Sequence, residues 1–403
     1  MSSSQNFFDL ESLVCLRRDI HQNAELSLKE FATQAKIKHY LTEVLKIDTL
    51  SIKHCANTGL TLDIYGFGPP NLSLKSDYLL IGARADIDAL PMKEETDLAF
   101  KSTGDAMHAC GHDGHIACLL GGLSLYLERL DRIPANTGVR FIFQPGEEGH
   151  HGADLMVKDG VLDDVSEIYG CHNVPMKSLA GKMVCNVGNM MAAFTIIDIK
   201  IIGRGGHGST PEKCKNPIPV AAKVYLEING LMDEAIKNNK EVRGSFPLLK
   251  GSEAFNVIPE FARIAGTLRN FEPEFAQKFV DQVEKTVQRI CTEEGFEFKM
   301  SNIPSWHKPV KNSDSTTHFF KTAVAQALGP EFNTSEGCPI FASEDFSEFT
   351  AKIPGTFWFA AHGINPEGVT LHSPKFMFDD SIIEPTSKVW AKLFEVRLTS
   401  TEN

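Results

Sequence analysis

Apolar spacing divides the chain into three stretches with different rhythms. From Asp9 to Leu45 the pattern is helical, with Phe31, Ala35 and Ile37 set among charged residues, and Ser27 followed by Glu30 predicts a capping box. Past Asn57-Thr58-Gly59, apolar runs at Leu60–Tyr65, Tyr78–Ala83, Val139–Phe143 and Ile168–Cys171 predict strands, and Ile116–Leu130 predicts an apolar helix among them. Around Met190 the rhythm changes. Phe194–Ile202 alternates, with Ile197, Ile199 and Ile201 opposite Asp198 and Lys200, which predicts a sheet wet on one face. A helical run carrying Val220, Val224, Ile228 and Leu231 follows. Then come strand runs near Val242–Leu249 and Ala262–Leu268, a helix with Phe275, Phe279, Val283, Val287 and Ile290 on one face, and the alternating Phe296–Met300. Strand-helix-strand-strand-helix-strand is the order of a ferredoxin-like α+β module, expected over 190–303. The remainder, 304–403, returns to α/β, with a helix at Thr316–Leu328, a strand at Thr356–Ala361 and a closing helix at Pro385–Leu398. The expected architecture is therefore an α/β catalytic domain, 1–189 plus 304–403, interrupted by the module.

Chemistry gathers where the strands of the α/β part end. Arg84-Ala85-Asp86-Ile87-Asp88 follows the Tyr78–Ala83 run, Gln144-Pro145-Gly146-Glu147-Glu148-Gly149 follows Val139–Phe143, and His172 follows Ile168–Cys171. Leu371-His372-Ser373-Pro374 comes after Thr356–Ala361. The C-terminal ends of strands are where open α/β sheets bind ligands. The densest stretch is Met107-His108-Ala109-Cys110-Gly111-His112-Asp113-Gly114-His115, whose imidazoles, thiol and carboxylate form the ligand set of zinc and its first-row neighbours. Isolated histidines are more often surface or satisfied core residues, and Cys-x-His can be half of a structural zinc site, but no matching half stands nearby. The strand-exit residues together are Cys110, His112, Glu148, His172 and His372, with Glu147 beside them. Five ligands exceed the three of a lone catalytic zinc and suit two ions sharing a water. Adjacent glutamates then divide the work, one as ligand and the other as proton carrier.

Composition narrows the setting. At 403 residues there is room for two or three domains, and 42% hydrophobic with 23% charged residues is ordinary for a soluble globular protein. No apolar run reaches membrane-spanning length, Met1–Leu10 lacks a basic n-region and an h-region, and Ser400–Asn403 carries no retention tripeptide. Nine cysteines without framework spacing suggest reduced thiols. The expected location is the cytoplasm. A net charge of −12 without a basic stripe argues against nucleic acid, and recognition of an anionic substrate would have to be local.

Seven segments resemble the metal-dependent amidohydrolases, the aminoacylase and carboxypeptidase-like family of the zinc-exopeptidase superfamily. They are His21-Gln-Asn-Ala-Glu25-Leu-Ser, Arg84-Ala-Asp86-Ile-Asp88-Ala-Leu-Pro91, Met107–His115, Phe143-Gln-Pro-Gly-Glu147-Glu148-Gly, Gly203-Arg-Gly-Gly-His207, Asn256-Val-Ile-Pro259 and Leu371-His372-Ser-Pro374. Within that family the chain is similar to the branch with hippurate hydrolase and the indole-acetyl-amino-acid hydrolases. The resemblance implies a zinc-exopeptidase-like catalytic domain with a central mixed sheet, and an inserted ferredoxin-like lid that forms a homodimer contact. It implies two divalent metal ions per subunit, whether Mn, Zn, Co or Ni, on Cys110, His112, Glu148, His172 and His372, with Glu147 as general base. His207 would stabilise the oxyanion, often in the neighbouring subunit; on its own it reads as a loop residue chosen for turn chemistry. Asn256 and Arg269 would contact the substrate's carboxylate, and Asp88 would orient a ligand. Ala24 departs from the family's usual proline and Gly146 from its alanine, neither at a ligand position. The implied reaction is cleavage of an N-acyl amino acid by a water shared between the ions. The alternatives are a dipeptidase or aminopeptidase of the same superfamily, or a non-catalytic metal-dependent binding protein. His39, His54, His150, His151 and His362 are expected on the surface or in packing.

Overall fold

The computed structural model describes residues 6–72, 74 and 78–400, so the first five residues and the last three considered above lie outside the described part. The chain separates into two compact units, one made of 1–190, 311–338 and 345–403 and the other of 191–310 with 339–344.

The first unit is built on an eight-stranded mixed sheet. Its spatial order is Lys53–Cys55, Gly59–Tyr65, Thr137–Gln144, Leu79–Asp86, Val165–Val174, Gly355–Ala361, Met183–Val184 and Asn333–Thr334. The four strands from Thr137–Gln144 to Gly355–Ala361 run parallel, and Gly59–Tyr65 is antiparallel to its neighbour. Parallel strands need both faces covered, and Leu79–Asp86 and Gly355–Ala361 are buried at every residue. One cover is the helix His112–Leu127, whose small and apolar residues let it sink almost wholly into the core. Helices Leu10–Gln22, Asp314–Ala327 and Ile383–Thr399 pack in the same core, where Phe320 and Trp390 lie against Trp358. Among the described residues no helix is long and apolar enough to cross a membrane.

The second unit has a four-stranded antiparallel sheet in the order Val242–Lys250, Phe261–Asn270, Ala193–Ile202 and Glu297–His307. With helices Ile218–Asn238 and Pro273–Glu294 this is the ferredoxin-like order. Ile197, Ile199 and Ile201 face the two helices, as the alternation requires. The unit extends to Val310 rather than 303 because its last strand runs on to His307, and it reclaims 339–344 through a bridge between Met191 and Ile340 and a hydrogen bond from the Ala192 amide to the Ala342 carbonyl.

The long helical stretch at the N-terminus resolves into two helices, Leu10–Gln22 and Phe31–His39. The expected capping box does not form. Ser27 Oγ donates instead to Asp88, and the buried Glu30 carboxylate accepts from the Leu28 amide at 2.9 Å, the Gly146 amide at 3.0 Å and the Thr58 hydroxyl. Both residues serve long-range partners, which a local motif cannot reveal.

Candidate metal centre

Parallel strands bring their C-terminal ends to one edge. Asp86 is in register with Gln144, and His172 with Phe359, near the ends of their strands. The Pro145–Glu148 loop leaves the same edge, its Gly146 amide held by Glu30. Cys110 and Gly111 immediately precede the helix that begins at His112, earlier than the apolar pattern predicts. His372 follows the irregular segment after Gly355–Ala361 rather than the strand end itself, with φ +63° and its amide bonded to the Ala109 carbonyl at 2.9 Å. Gly111 has φ +91°, and a Cβ there would lie 2.2 Å from Asn173 Nδ2. We expect Gly111→Ala to cost about 1–3 kcal/mol and to weaken metal binding, measured by thermal melting and metal titration; wild-type values in both would contradict this.

The ligand atoms of Cys110, His112 and His172 lie within 4.8 Å of one another. So do those of Cys110, Glu148 and His372, and those of His112, Glu147 and Glu148. Cys110 thus belongs to two triads. Its Sγ is 3.3 Å from both His172 Nε2 and His372 Nε2, and His372 Nε2 is 3.2 Å from Glu148 Oε1. Donors sharing one zinc at its usual bond lengths stand roughly 3.3–3.6 Å apart. Among the described residues, His112 Nε2 and Glu148 Oε1 are buried without a hydrogen-bond partner. The His372–Glu148 approach is close without being aligned as donor and acceptor. Thiolate, imidazoles and carboxylates at these separations, with orphaned donor atoms, fit a pair of divalent cations.

The supports of these side chains are specific. His112 Nδ1 lies 3.2 Å from Asp88 Oδ1, while Asp88 Oδ2 accepts from Ser27 Oγ at 2.6 Å and from the Glu148 amide at 3.0 Å. Burial alone would raise the Asp88 carboxyl, but these hydrogen bonds, led by His112, hold it below its usual range. His172 Nδ1–H donates to the Asn173 carbonyl, which leaves Nε2 as the lone pair facing Cys110. Burial works against a charge on His112, yet Asp86, Asp88 and Glu148 around the ring push it up to about 10. A ring among three carboxylates is a place for positive charge, carried by a proton or by a metal.

The other ionisable residues of the 107–115 stretch are engaged elsewhere. His115 Nδ1 meets Asp86 Oδ1 at 2.6 Å, and Asp86 is paired with Arg84 at 2.7 Å. Asp345 ties this group to the sheet edge, accepting from Arg84, Gln144 and the Ala153 amide. Asp113 turns to Arg17 at 3.1 Å and to His21 at 2.9 Å, and His21 reaches Glu94 at 3.2 Å on its other side. His21 is pushed up to about 9, because Asp113 and Glu94 outweigh the opposing effect of burial. A folded-state pKa above the unfolded 6.5 means stability that is complete below pH 6.5 and lost as pH rises toward 9. We therefore expect the melting temperature of the wild type to fall across that window and His21→Gln to flatten the fall; identical slopes would contradict it. Arg17, Asn173 and Asp345 carried no sequence signal, since nothing in their neighbourhoods distinguishes them from other polar residues. His362, expected on the surface or in packing, is buried and bonds Asn173.

The second unit carries His207, Asn256 and Arg269. Gly206-His207 pairs with Val257-Ile258, and the Gly208 amide bonds the Asn256 carbonyl at 2.8 Å, so His207 and Asn256 share one exposed ribbon. The ribbon continues the pairing of Ile202 with Phe261 through the Gly203 amide and the Glu260 carbonyl. His207 Nδ1 accepts from the Ser209 amide at 3.1 Å, so a neutral ring carries its proton on Nε2. Arg269 lies at the opposite end of the sheet, paired in register with Phe194, its guanidinium 4.0 Å from that ring and 2.9 Å from Ser343 Oγ. The structure brings His207 and Asn256 together and keeps Arg269 apart from them.

Residues 82–396 match peptidase family M20/M25/M40. The chain is 33% identical over 383 residues to an N-acetylcysteine deacetylase of Bacillus subtilis (strain 168), covering 94% of this chain and 95% of the relative. It is 32% identical over 387 residues to a hippurate hydrolase of Campylobacter jejuni, covering 94% of each. A Bacillus subtilis crystal structure of a dinuclear metal binding peptidase from the M20 family superposes with a TM-score of 0.77 at 30% identity, covering 96% of this chain and 98% of that one. The strand-end cluster, the mixed sheet that carries it and the matched length agree, and the chain belongs to peptidase family M20/M25/M40.

Proposed function

We propose that this chain is a metal-dependent amidohydrolase that cleaves an N-acyl amino acid into a carboxylic acid and a free amino acid. Two divalent ions, Mn, Zn, Co or Ni, would be held by Cys110, His112, Glu148, His172 and His372, with Asp88 orienting His112. The observation that carries this reading is the thiol of Cys110 shared between two ligand triads, with Glu147 at the rim, its Oε2 4.0 Å from His112 Nε2. Similarity to an N-acetylcysteine deacetylase and a hippurate hydrolase supports an acylated amino acid as substrate. Two bound ions would supply a water of lowered pKa and polarise the amide carbonyl. Glu147 takes the proton from the attacking water and delivers it to the departing amine. Comparing hydrolysis of an acetylated amino acid with that of a dipeptide tests the substrate class: preference for the acetylated compound is expected, and activity confined to the dipeptide would overturn it.

His207 offers its Nε2–H to the developing oxyanion, and Asn256 on the same ribbon would reach the substrate. Arg269 would hold the substrate carboxylate. Eight residue steps of extended strand, from Phe261 to Arg269, separate the two ends of this unit by roughly 27 Å, further than any N-acyl amino acid of modest acyl length can bridge. One copy therefore cannot offer His207 and Arg269 to the same substrate, which favours a homodimer in which the inserted unit, as lid, lends His207 to the partner. His207→Ala is expected to lower kcat about 10²–10³-fold with unchanged metal content. Mixing His207→Ala with Glu147→Gln protein, each nearly inactive, is expected to restore activity through hybrid dimers; no recovery after exchange of subunits would count against the shared site. The cytoplasmic location expected from the sequence agrees with nine cysteines that form no disulfide.

A further inference from the structure

Asn173 is buried and uses every hydrogen-bonding group it has. Its carbonyl accepts from His172 Nδ1–H, and its amide N–H donates to His115 Nε2 at 2.9 Å. In the side chain, Nδ2 donates to the Cys110 carbonyl at 2.6 Å and approaches His115 Nε2 at 2.9 Å, while Oδ1 faces His362 Nε2 at 3.0 Å. A carbonyl oxygen accepts only from the NH2 end of an amide, so the orientation of this side chain is determined. Oδ1 must then receive the Nε2–H of His362, whose Nδ1 is buried with no hydrogen-bond partner among the described residues. The missing Cβ of Gly111 leaves the space into which Nδ2 fits.

We infer that the Asn173 side chain, locked by His362, is the positioning group that sets the place of Cys110, while the main-chain carbonyl of the same residue sets the tautomer of His172, so that both candidate ligands present their donor atoms together. This inference rests on the function proposed above. Neither residue is among the proposed ligands: Asn173 acts through His172 and through the main chain of Cys110, and His362 acts through Asn173. In Asn173→Asp an acceptor replaces the donor that faces two acceptors, the Cys110 carbonyl and His115 Nε2, at nearly constant shape. His362→Gln keeps an N–H at the position of Nε2, whereas His362→Leu removes it.

The test is cobalt(II) binding by the full-length protein, titrated against a competing chelator, with the thiolate-to-cobalt absorption band recorded alongside. Asn173→Asp should bind cobalt about 10–100-fold more weakly with a displaced band, His362→Leu about tenfold more weakly, and His362→Gln within about threefold of wild type. KM measured at saturating metal should be unchanged in all three. Wild-type affinity and an unmoved band in both Asn173→Asp and His362→Leu would overturn the inference while leaving the proposed function intact. If Asn173→Asp shows no cooperative melting, the His362 pair decides, and equal affinities for Leu and Gln overturn it. A wild-type protein that binds no divalent ion would overturn the inference and the function together.

Discussion

Glu147→Gln is expected to hold its metal as the wild type does and to turn over about 10²–10⁴-fold more slowly. Neither triad that shares Cys110 includes Glu147, so removing its charge leaves both donor sets whole. Its position beside His112, on the loop that the Glu30 carboxylate anchors through Gly146, suits a proton carrier at the rim. Glutamine preserves the shape and the hydrogen-bonding reach but neither takes a proton from water nor returns one to an amine. Metal content and kcat measured on one preparation decide the matter: a metal-loaded variant with near wild-type turnover would remove Glu147 from the reaction.

Loss of Cys110 should damage more than loss of any other single ligand. Its Sγ is the only donor common to the Cys110–His112–His172 and Cys110–Glu148–His372 groups found among the described residues. Cys110→Ala is therefore expected to bring bound metal below one ion per chain and to abolish activity, whereas His372→Ala, which touches one group, should keep close to one ion. Elemental analysis after gel filtration separates the two outcomes. A Cys110→Ala protein that still carries two ions would show that the thiol is not needed to hold them. With Cys110 as a proposed ligand, the activity is also expected to be sensitive to oxidants, reversible by reductant at the sulfenic acid stage.

Much of the catalytic unit was legible because its chemistry is punctuated. A segment such as Gln144-Pro145-Gly146-Glu147-Glu148-Gly149 interrupts an apolar run with residues that neither pack nor continue a strand, and parallel topology then carries such interruptions to one edge. What the pattern could not do was sort residues of one type by role. His112 and His115 stand three apart on one helix, but among the described residues His112 Nε2 is left without a hydrogen-bond partner while His115 is taken by Asp86 and Asn173. Asp113 resembles a ligand until Arg17 and His21, from the first helix, are seen to hold it. Those decisions are made by residues distant in the chain. The same cause defeated the capping box, where Ser27 and Glu30 had better partners in Asp88, Thr58 and Gly146 than in each other. In the second unit, alternation at Ile197, Ile199 and Ile201 marked the sheet correctly, but the return of 339–344 has no periodicity of its own and could not be anticipated.

The central claim is that one strand-end cluster holds two cations and uses them on an acylated amino acid. It is tested most directly by titrating metal-free wild-type protein with a divalent ion while following release of free amino acid from N-acetylated and N-benzoylated substrates. Activity should rise with occupancy and reach its plateau at two ions per chain. Protein that carries two ions and releases no amino acid from any acylated substrate, or that reaches full activity without metal, would contradict it.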